Sequence, residues 1–261
     1  MLESTSITLT LERGLQLLRA FRASRSPLTC AELARRTGLS RPSVSRLTAT
    51  LVKLGYLRRV PWGGGLELAM ASFKPGHSYV TDNAITELAG PILQHLADEL
   101  DVAVALSIPD QLDMVYVACR TGPSISTLRP YVGTLVPMAL TSAGRSWLWG
   151  SNISEKERYL SSIMDQAGAH ADTLLQRING SFVELDTYGV CTVTSEFQTG
   201  GCGIALPVEL GRNQTRMAMS CSLILSAKDL RINHFRECVT PSLKKASMDL
   251  SRHLQDVDLK I

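Results

Sequence analysis

Between residues 41 and 59 the chain concentrates cationic, hydroxyl and small side chains: Arg41, Pro42, Ser43, Ser45, Arg46, Ala49 and Lys53, then Arg58 and Arg59. Arginine and serine donors set among small residues suit the edges of base pairs, which a helix must approach closely in the major groove. Arg41 and Ser43 stand at the start of the same stretch, where a helix dipole favours phosphate. Arg58 and Arg59 follow on a separate stem and suit backbone phosphates. The chemistry these residues offer is recognition of double-stranded DNA. No bond-breaking constellation accompanies them: there is no G-x-S-x-G elbow, H-E-x-x-H pair, P-loop or dinucleotide fingerprint. The histidines at 77, 95, 170, 234 and 253 are scattered and read as surface or satisfied side chains rather than metal ligands. Neither a catalytic residue, a metal site nor a cofactor is expected.

Residues 8 to 70 carry the elements that would position this face. Leu11, Leu15, Leu18 and Phe21 recur at helical spacing, with Thr10 before them as N-cap. Thr29-Cys-Ala-Glu32 forms a capping box, with hydroxyl and carboxylate both satisfying backbone N–H groups. Gly38 ends that helix, and Ser40 caps the next one a residue later, so the pair reads as a helix-turn-helix. The third helix is expected from Arg41 to Leu54. Val44, Leu47, Leu51 and Leu54 form its packing face, and Pro42 lies in the first turn, where its missing N–H costs nothing. Gly55 stops it. Tyr56 to Val60 and Leu66 to Ala69 then read as two strands around Pro61-Trp-Gly-Gly-Gly65, a basic wing. A winged helix used only for protein association is the alternative.

Charge favours the DNA reading. Residues 1–62 hold ten Arg and one Lys against three Glu, a net of +8, and the rest of the chain carries −5. A basic front on an acidic body is suited to a polyanion. The composition, 44% hydrophobic and 20% charged, is that of an ordered globule. No apolar run reaches the roughly 18 residues of a membrane span, and the N-terminus lacks a signal-peptide layout, so a cytoplasmic protein is expected. The six cysteines form no C-x-x-C pair and read mostly as reduced, buried residues. Cys191 and Cys202 flank a Gly-rich turn, which leaves a redox role open.

Beyond the wing, residues 72–88 read as a linker, broken at Pro75-Gly76, with a helix from about Asp82. The predicted domains are 1–71, a winged helix-turn-helix, and 89–261, an α+β domain. In the latter a helix begins at Pro91, and a hairpin follows from Val102–Ile108 and Asp113–Cys119. Helices are expected near 142–149, 154–163 and 172–187, and strands at Ile204–Val208 and Arg216–Leu225. Two last helices are expected at 228–238 and 240–254, the second capped by Thr240 with Pro241 at its first position. This order implies an antiparallel sheet.

The chain resembles the IclR family of bacterial transcriptional regulators. Thr10-Leu-Glu-Arg-Gly-Leu-Gln-Leu-Leu18, Ala31-Glu-Leu-Ala-Arg-Arg-Thr-Gly-Leu-Ser40 and the stretch from Arg46-Leu to Leu54-Gly-Tyr-Leu57 are similar to that family's first three helices. The likeness continues in Ala89-Gly-Pro-Ile-Leu, Leu96-Ala-Asp-Glu-Leu100, Met114-Val-Tyr-Val117, Gly133-Thr-Leu-Val-Pro-Met138 and Ser195-Glu-Phe-Gln-Thr-Gly-Gly. Membership implies a GAF/PAS-like effector-binding domain joined by a linker helix, assembly as homodimers or homotetramers, and operator binding modulated by a small organic acid.

The resemblance implies three segments around the effector pocket. These are Ser142-Ala143-Gly144 at a helix start, the stretch from Thr194 through Cys202 to Gly203, and Ser220 with Ser222, which alternate on one strand and so share a side. Ile125, Leu128 and Val136 would form an apolar wall. In the alternative reading Ser142 is only a cap and the two strand serines face solvent. Many members carry an acidic pair before the Glu-Phe and a cysteine after the glycine turn, where this chain has Val193, Thr194 and Gly203. That departure implies a roomier, less polar site, suited to an aromatic or longer acid. A second domain that only oligomerises or binds a partner, and one that converts its ligand, stand as rival readings.

Overall fold

The computed structural model describes residues 7–21, 26–61, 63–82, 84–126, 130–224 and 232–259. Leu128, Leu225 and the start of the helix expected at 228 lie outside the described residues. The chain divides into two compact units, Met1–Asp82 and Asn83–Ile261.

The first unit opens with α1 (Leu9–Arg19), α2 (Cys30–Thr37) and α3 (Arg41–Lys53). Leu17, Phe21, Leu28, Leu33, Val44, Leu51, Leu57 and Leu66 form its core. Helix α1 is turned relative to expectation: Leu17 is buried, while Leu11 and Leu15 are 63% and 53% exposed. Its N-cap is Thr8 rather than Thr10, and the cap makes no side-chain hydrogen bond. The capping box of α2 is half-formed. The Thr29 hydroxyl accepts from Glu32 N at 3.2 Å. The Glu32 carboxylate, however, binds Arg35 at 2.7 Å and Arg36 at 2.9 Å, because charge-assisted pairing outcompetes a neutral backbone donor. Gly38 ends α2 at φ +69°, a conformation that penalises any residue with a Cβ.

Strands β1 (Leu57–Arg59) and β2 (Leu66–Leu68) form the antiparallel wing, with Arg58 opposite Glu67. Leu28 and Leu66 exchange backbone hydrogen bonds at 2.8 Å each, which anchors the wing to the segment before α2. Gly65 is required there, since a Cβ would lie 2.6 Å from that of Pro27. Helix α4 (Met70–Asp82) runs straight through Pro75 and Gly76, where a break is expected.

The second unit begins with α5 (Ala84–Leu100), which also passes through a proline, Pro91. The proline lies on the exposed side, while Ile85, Ala89, Leu93 and Leu96 bury the other. Burial of about 1.5–3 kcal/mol per large side chain outweighs the roughly 3 kcal/mol of an interior proline. The same holds in the single helix α9 (Ile232–Leu254), where two helices are expected. Val239, Leu243, Ala246, Leu250 and Leu254 keep one buried stripe past exposed Pro241. Thr240 caps nothing; its hydroxyl donates back to Arg236 O at 2.6 Å.

Between these helices lies a six-stranded antiparallel sheet in the order β5-β4-β3-β8-β7-β6. Its strands are β3 (Ala103–Asp110), β4 (Asp113–Thr121), β5 (Leu135–Pro137), β6 (Cys191–Thr194), β7 (Gly201–Leu210) and β8 (Thr215–Ile224). Helices α6 (Ser142–Gly150), α7 (Ile153–Ala167) and α8 (Ala171–Tyr188) complete the unit. One sheet face carries Val104, Leu106, Ile204, Leu206, Met219 and Cys221 into a core with α5 and α9. The other packs Met114, Val136 and Ala218 with Ala143, Trp147, Ile163 and Ile178 of α6, α7 and α8. No helix among the described residues is long and apolar enough to cross a membrane.

Candidate functional site

Helix α3 buries Val44, Thr48 and Leu51. Thr48 replaces Leu54 on the packing face: its hydroxyl is satisfied by Val44 O at 2.8 Å, and Leu54, the C-cap, is 59% exposed. The opposite face is left to solvent. Arg41, Pro42, Ser45, Arg46, Ala49 and Lys53 are exposed, and Ser43 is half-buried beside Ser40, whose hydroxyl lies 2.9 Å away. Among the described residues Arg41, Arg46 and Lys53 have no ion-pair partner, so their charge is free for a ligand. On the wing the two arginines differ. Arg58 pairs with Glu67 at 2.6 Å, whereas Arg59 is exposed and, among the described residues, has no ion-pair partner.

In the second unit, strand register decides what lies together. Ala103, Ser222 and Gly203 form one cross-strand row, and Ala105, Ser220 and Ala205 the next. Directly opposed residues project to the same side, so both rows face α6. Val193 and Thr121 extend the first row, Cys191 and Cys119 the second. The floor so formed has small side chains at its centre. Ser142 leans onto it: a Cβ built on Gly203 would lie 2.8 Å from the Ser142 Oγ.

Ser142 and Ser220 are each only 4% exposed, and neither hydroxyl is hydrogen-bonded among the described residues; nor is that of Ser222. Ser142 is not the cap of α6. Thr141 takes that role, accepting from Gly144 N at 3.3 Å and donating to Pro137 O at 2.8 Å. Two buried serines and one half-buried serine with unpartnered hydroxyls, none of them fully covered at its oxygen, leave room for an incoming polar group. The first-turn N–H groups of Ser142 and Ala143 add donors at a helix start.

Not every expected pocket residue is brought to these hydroxyls. Thr194 and Cys202 oppose each other and Leu223, one residue out of phase with Gly203 and Ser222, and so point to the α5–α9 face. Val136 is packed in the core with Met114 and Ala143. Ile125 is half-buried just past β4. Gly144 has a packing role, since a side chain there would collide with the Met138 backbone.

Two residues not singled out in the sequence hold together the segments around these serines. Arg145, 2% exposed, donates to Ala139 O at 2.9 Å, Ser181 Oγ at 3.1 Å and Glu196 Oε2 at 2.5 Å. Glu196 sits in the turn between β6 and β7, which Ser195 and Gly200 close at φ +53° and +74°. Arg177 of α8 reaches the same carboxylate at 3.5 Å. The available signal was a lone charge in the otherwise uncharged run of residues 142–150.

The cysteines are all free; Cys119, Cys191, Cys202 and Cys221 are buried. Burial pushes the Cys191 and Cys221 thiols upward and that of Cys202 up to about 11, the opposite of redox activation. Among the described residues no three His, Cys, Asp or Glu side chains are grouped as a metal site.

Residues 10–61 match the family described as IclR helix-turn-helix domain, and residues 77–252 match bacterial transcriptional regulator IclR C-terminal. The Pca regulon regulatory protein of Pseudomonas putida is 27% identical, covering 94% of this chain and 84% of its own. The crystal structure of an IclR family transcriptional regulator from Brucella abortus superposes with a TM-score of 0.86 at 28% identity, over 96% of this chain and 94% of that one. An IclR homolog from Microbacterium hydrocarbonoxydans, crystallised with 4-hydroxybenzoate, shares the fold at a TM-score of 0.66 and 17% identity, over 94% and 99% of the two chains.

Proposed function

The chain belongs to the IclR family of bacterial transcriptional regulators, and from that premise we propose that it reads its operator with one face of α3 and answers to a small organic acid held between Ser142, Ser220 and Ser222. DNA binding and transcriptional regulation come with the family. The residues and the ligand class are our reading.

For the DNA contact, the observation that carries most weight is the exposed, unpaired set of Arg41, Arg46 and Lys53 opposite the packing face of α3. Ser45, Arg46, Ala49 and Lys53 are assigned to base edges, and Arg41, Ser43 and Arg59 to phosphates. Reading two half-sites calls for a homodimer or homotetramer. The exposed apolar side chains of α1 and α4, Leu9, Leu11, Leu15, Met70 and Phe73, support self-association through this unit.

For the effector, the supporting observation is the trio of unpartnered hydroxyls over a floor of Ala103, Ala105, Gly203 and Ala205. Hydroxyls and helix N–H groups can hold a carboxylate, and the neighbouring Met114–Val136–Ala143 core supplies an apolar wall. An aromatic acid fits this combination, and the 4-hydroxybenzoate complex of a homolog of the same fold guides the choice of probe. We read the pocket as non-catalytic, because among the described residues neither Ser142 nor Ser220 is hydrogen-bonded to a base that would activate it. A cytoplasmic location accords with DNA as the partner.

The test is a DNA shift assay on the region upstream of the protein's own gene, repeated with benzoate, 4-hydroxybenzoate and aliphatic acids of similar size. A specific complex whose midpoint moves with one of these acids is the expected result. Binding that is insensitive to DNA sequence would remove the operator reading. A ligand recovered chemically altered after incubation would remove the non-catalytic one.

A further inference from the structure

We propose that Gly203 sets how tightly the pocket holds an acid, by leaving the Ser142 hydroxyl uncovered. The inference rests on the effector reading above and sharpens it. Gly203 lies in the row Val193–Gly203–Ser222–Ala103, directly beneath the first residue of α6. Its conformation does not call for glycine, since its φ is not positive. Nor does close backbone packing, because the next atom that a Cβ would meet beyond the Ser142 Oγ is 3.9 Å away. What glycine spares is that one hydroxyl, at 2.8 Å.

A methyl group at 203 would therefore turn the Ser142 side chain away from the floor. The polar end of a bound acid would then meet Ser220 and Ser222 without its third partner. With no side chain at 203, a carboxylate can descend to the floor and meet all three hydroxyls, and the rest of the molecule lies along the apolar wall.

The experiment is a double-mutant cycle of Gly203→Ala and Ser142→Ala, with calorimetric titration of 4-hydroxybenzoate and benzoate into the full-length protein. Each single substitution is expected to weaken the better-bound acid about tenfold, the scale of one lost hydrogen bond to a charged group. The double variant is expected to be no weaker than Ser142→Ala alone, because the two changes remove the same contact. Losses that multiply toward a hundredfold, or a Gly203→Ala protein that binds like the parent, would overturn the proposal. Should Gly203→Ala alone fail to fold, the comparison of Ser142→Ala with the double variant decides: equal affinity supports the proposal, and a further tenfold loss contradicts it. A parent protein that binds neither acid would instead defeat the aromatic-acid reading, and this inference with it.

Discussion

Arg145 Nη2 lies 2.5 Å from Glu196 Oε2, joining the helix that carries Ser142 to the turn that precedes Gly203. The pair is deeply placed, with Arg145 2% and Glu196 14% exposed. Removing one partner strands the other, and breaking such a pair costs about 3–5 kcal/mol. Glu196 would keep Arg177, so Arg145→Ala should cost near the lower figure, about 3 kcal/mol. For a unit of this size that is a fall of roughly 6–12 °C in melting temperature. Glu196→Gln keeps an acceptor but leaves the buried Arg145 cation without its counter-charge, so it should cost at least as much, about 3–5 kcal/mol. Calorimetric melts of both variants check this; an unchanged melt for Arg145→Ala would mean that the ion pair braces nothing.

Glu32 carries a pH signature. Hydrogen bonds from the Arg35 and Arg36 guanidinium groups hold its carboxyl down at about 2, against an ordinary 4.5. A depressed folded-state value contributes stability that is present above the unfolded value and lost as pH falls toward the folded one. The contribution should therefore be intact at pH 7 and fade between about 4.5 and 2. The group is on the surface, so salt should weaken the effect. A carboxyl titration by NMR checks it, with Glu32→Gln showing a flatter loss of stability in that window.

On DNA, Arg46→Ala should cost about 1–3 kcal/mol against the operator and relax selectivity, while Arg59→Ala should weaken all sequences alike and lower the salt slope by about 1. Arg58→Ala should do less than Arg59→Ala, because Glu67 already neutralises Arg58. Conversely, Glu67→Gln should tighten non-specific binding. Anisotropy titrations at several salt concentrations separate these outcomes.

Thiol labelling distinguishes a structural from a redox role for the cysteines. Only Cys238 is exposed and Cys30 half-buried, so a bulky maleimide should modify those positions alone in the folded protein and all six after denaturation. Rapid native labelling of Cys191 or Cys202 would reopen the redox reading.

Local signals made the DNA-reading unit largely legible from sequence. Gly38, Ser40 and the heptad-like Val44–Leu51 spacing are short-range features, and they locate α2, the turn and α3 within a residue or two. Where propensity and burial disagree, sequence misleads. Pro75 reads as a break and Pro91 and Pro241 as helix starts, yet all three lie inside helices. The pocket was only partly legible. Alternation places Ser220 with Ser222, but whether Cys202 or Gly203 shares their face depends on register with β8, which no local pattern encodes. The Arg145–Glu196 pair spans 51 residues, and the short strands β5 and β6 have too few residues to show a period.

The central claim is that one pocket, built on Ser142 and Ser220, controls the affinity of α3 for its operator. The most direct measurement is the ratio of operator affinities with and without saturating acid, in the parent and in a Ser142→Ala/Ser220→Ala variant. Effector coupling of ordinary size predicts a ratio of at least about 5 in the parent. The account predicts that this ratio collapses to about 1 in the variant. An acid that shifts operator affinity equally in both proteins would place the effector site elsewhere and contradict it.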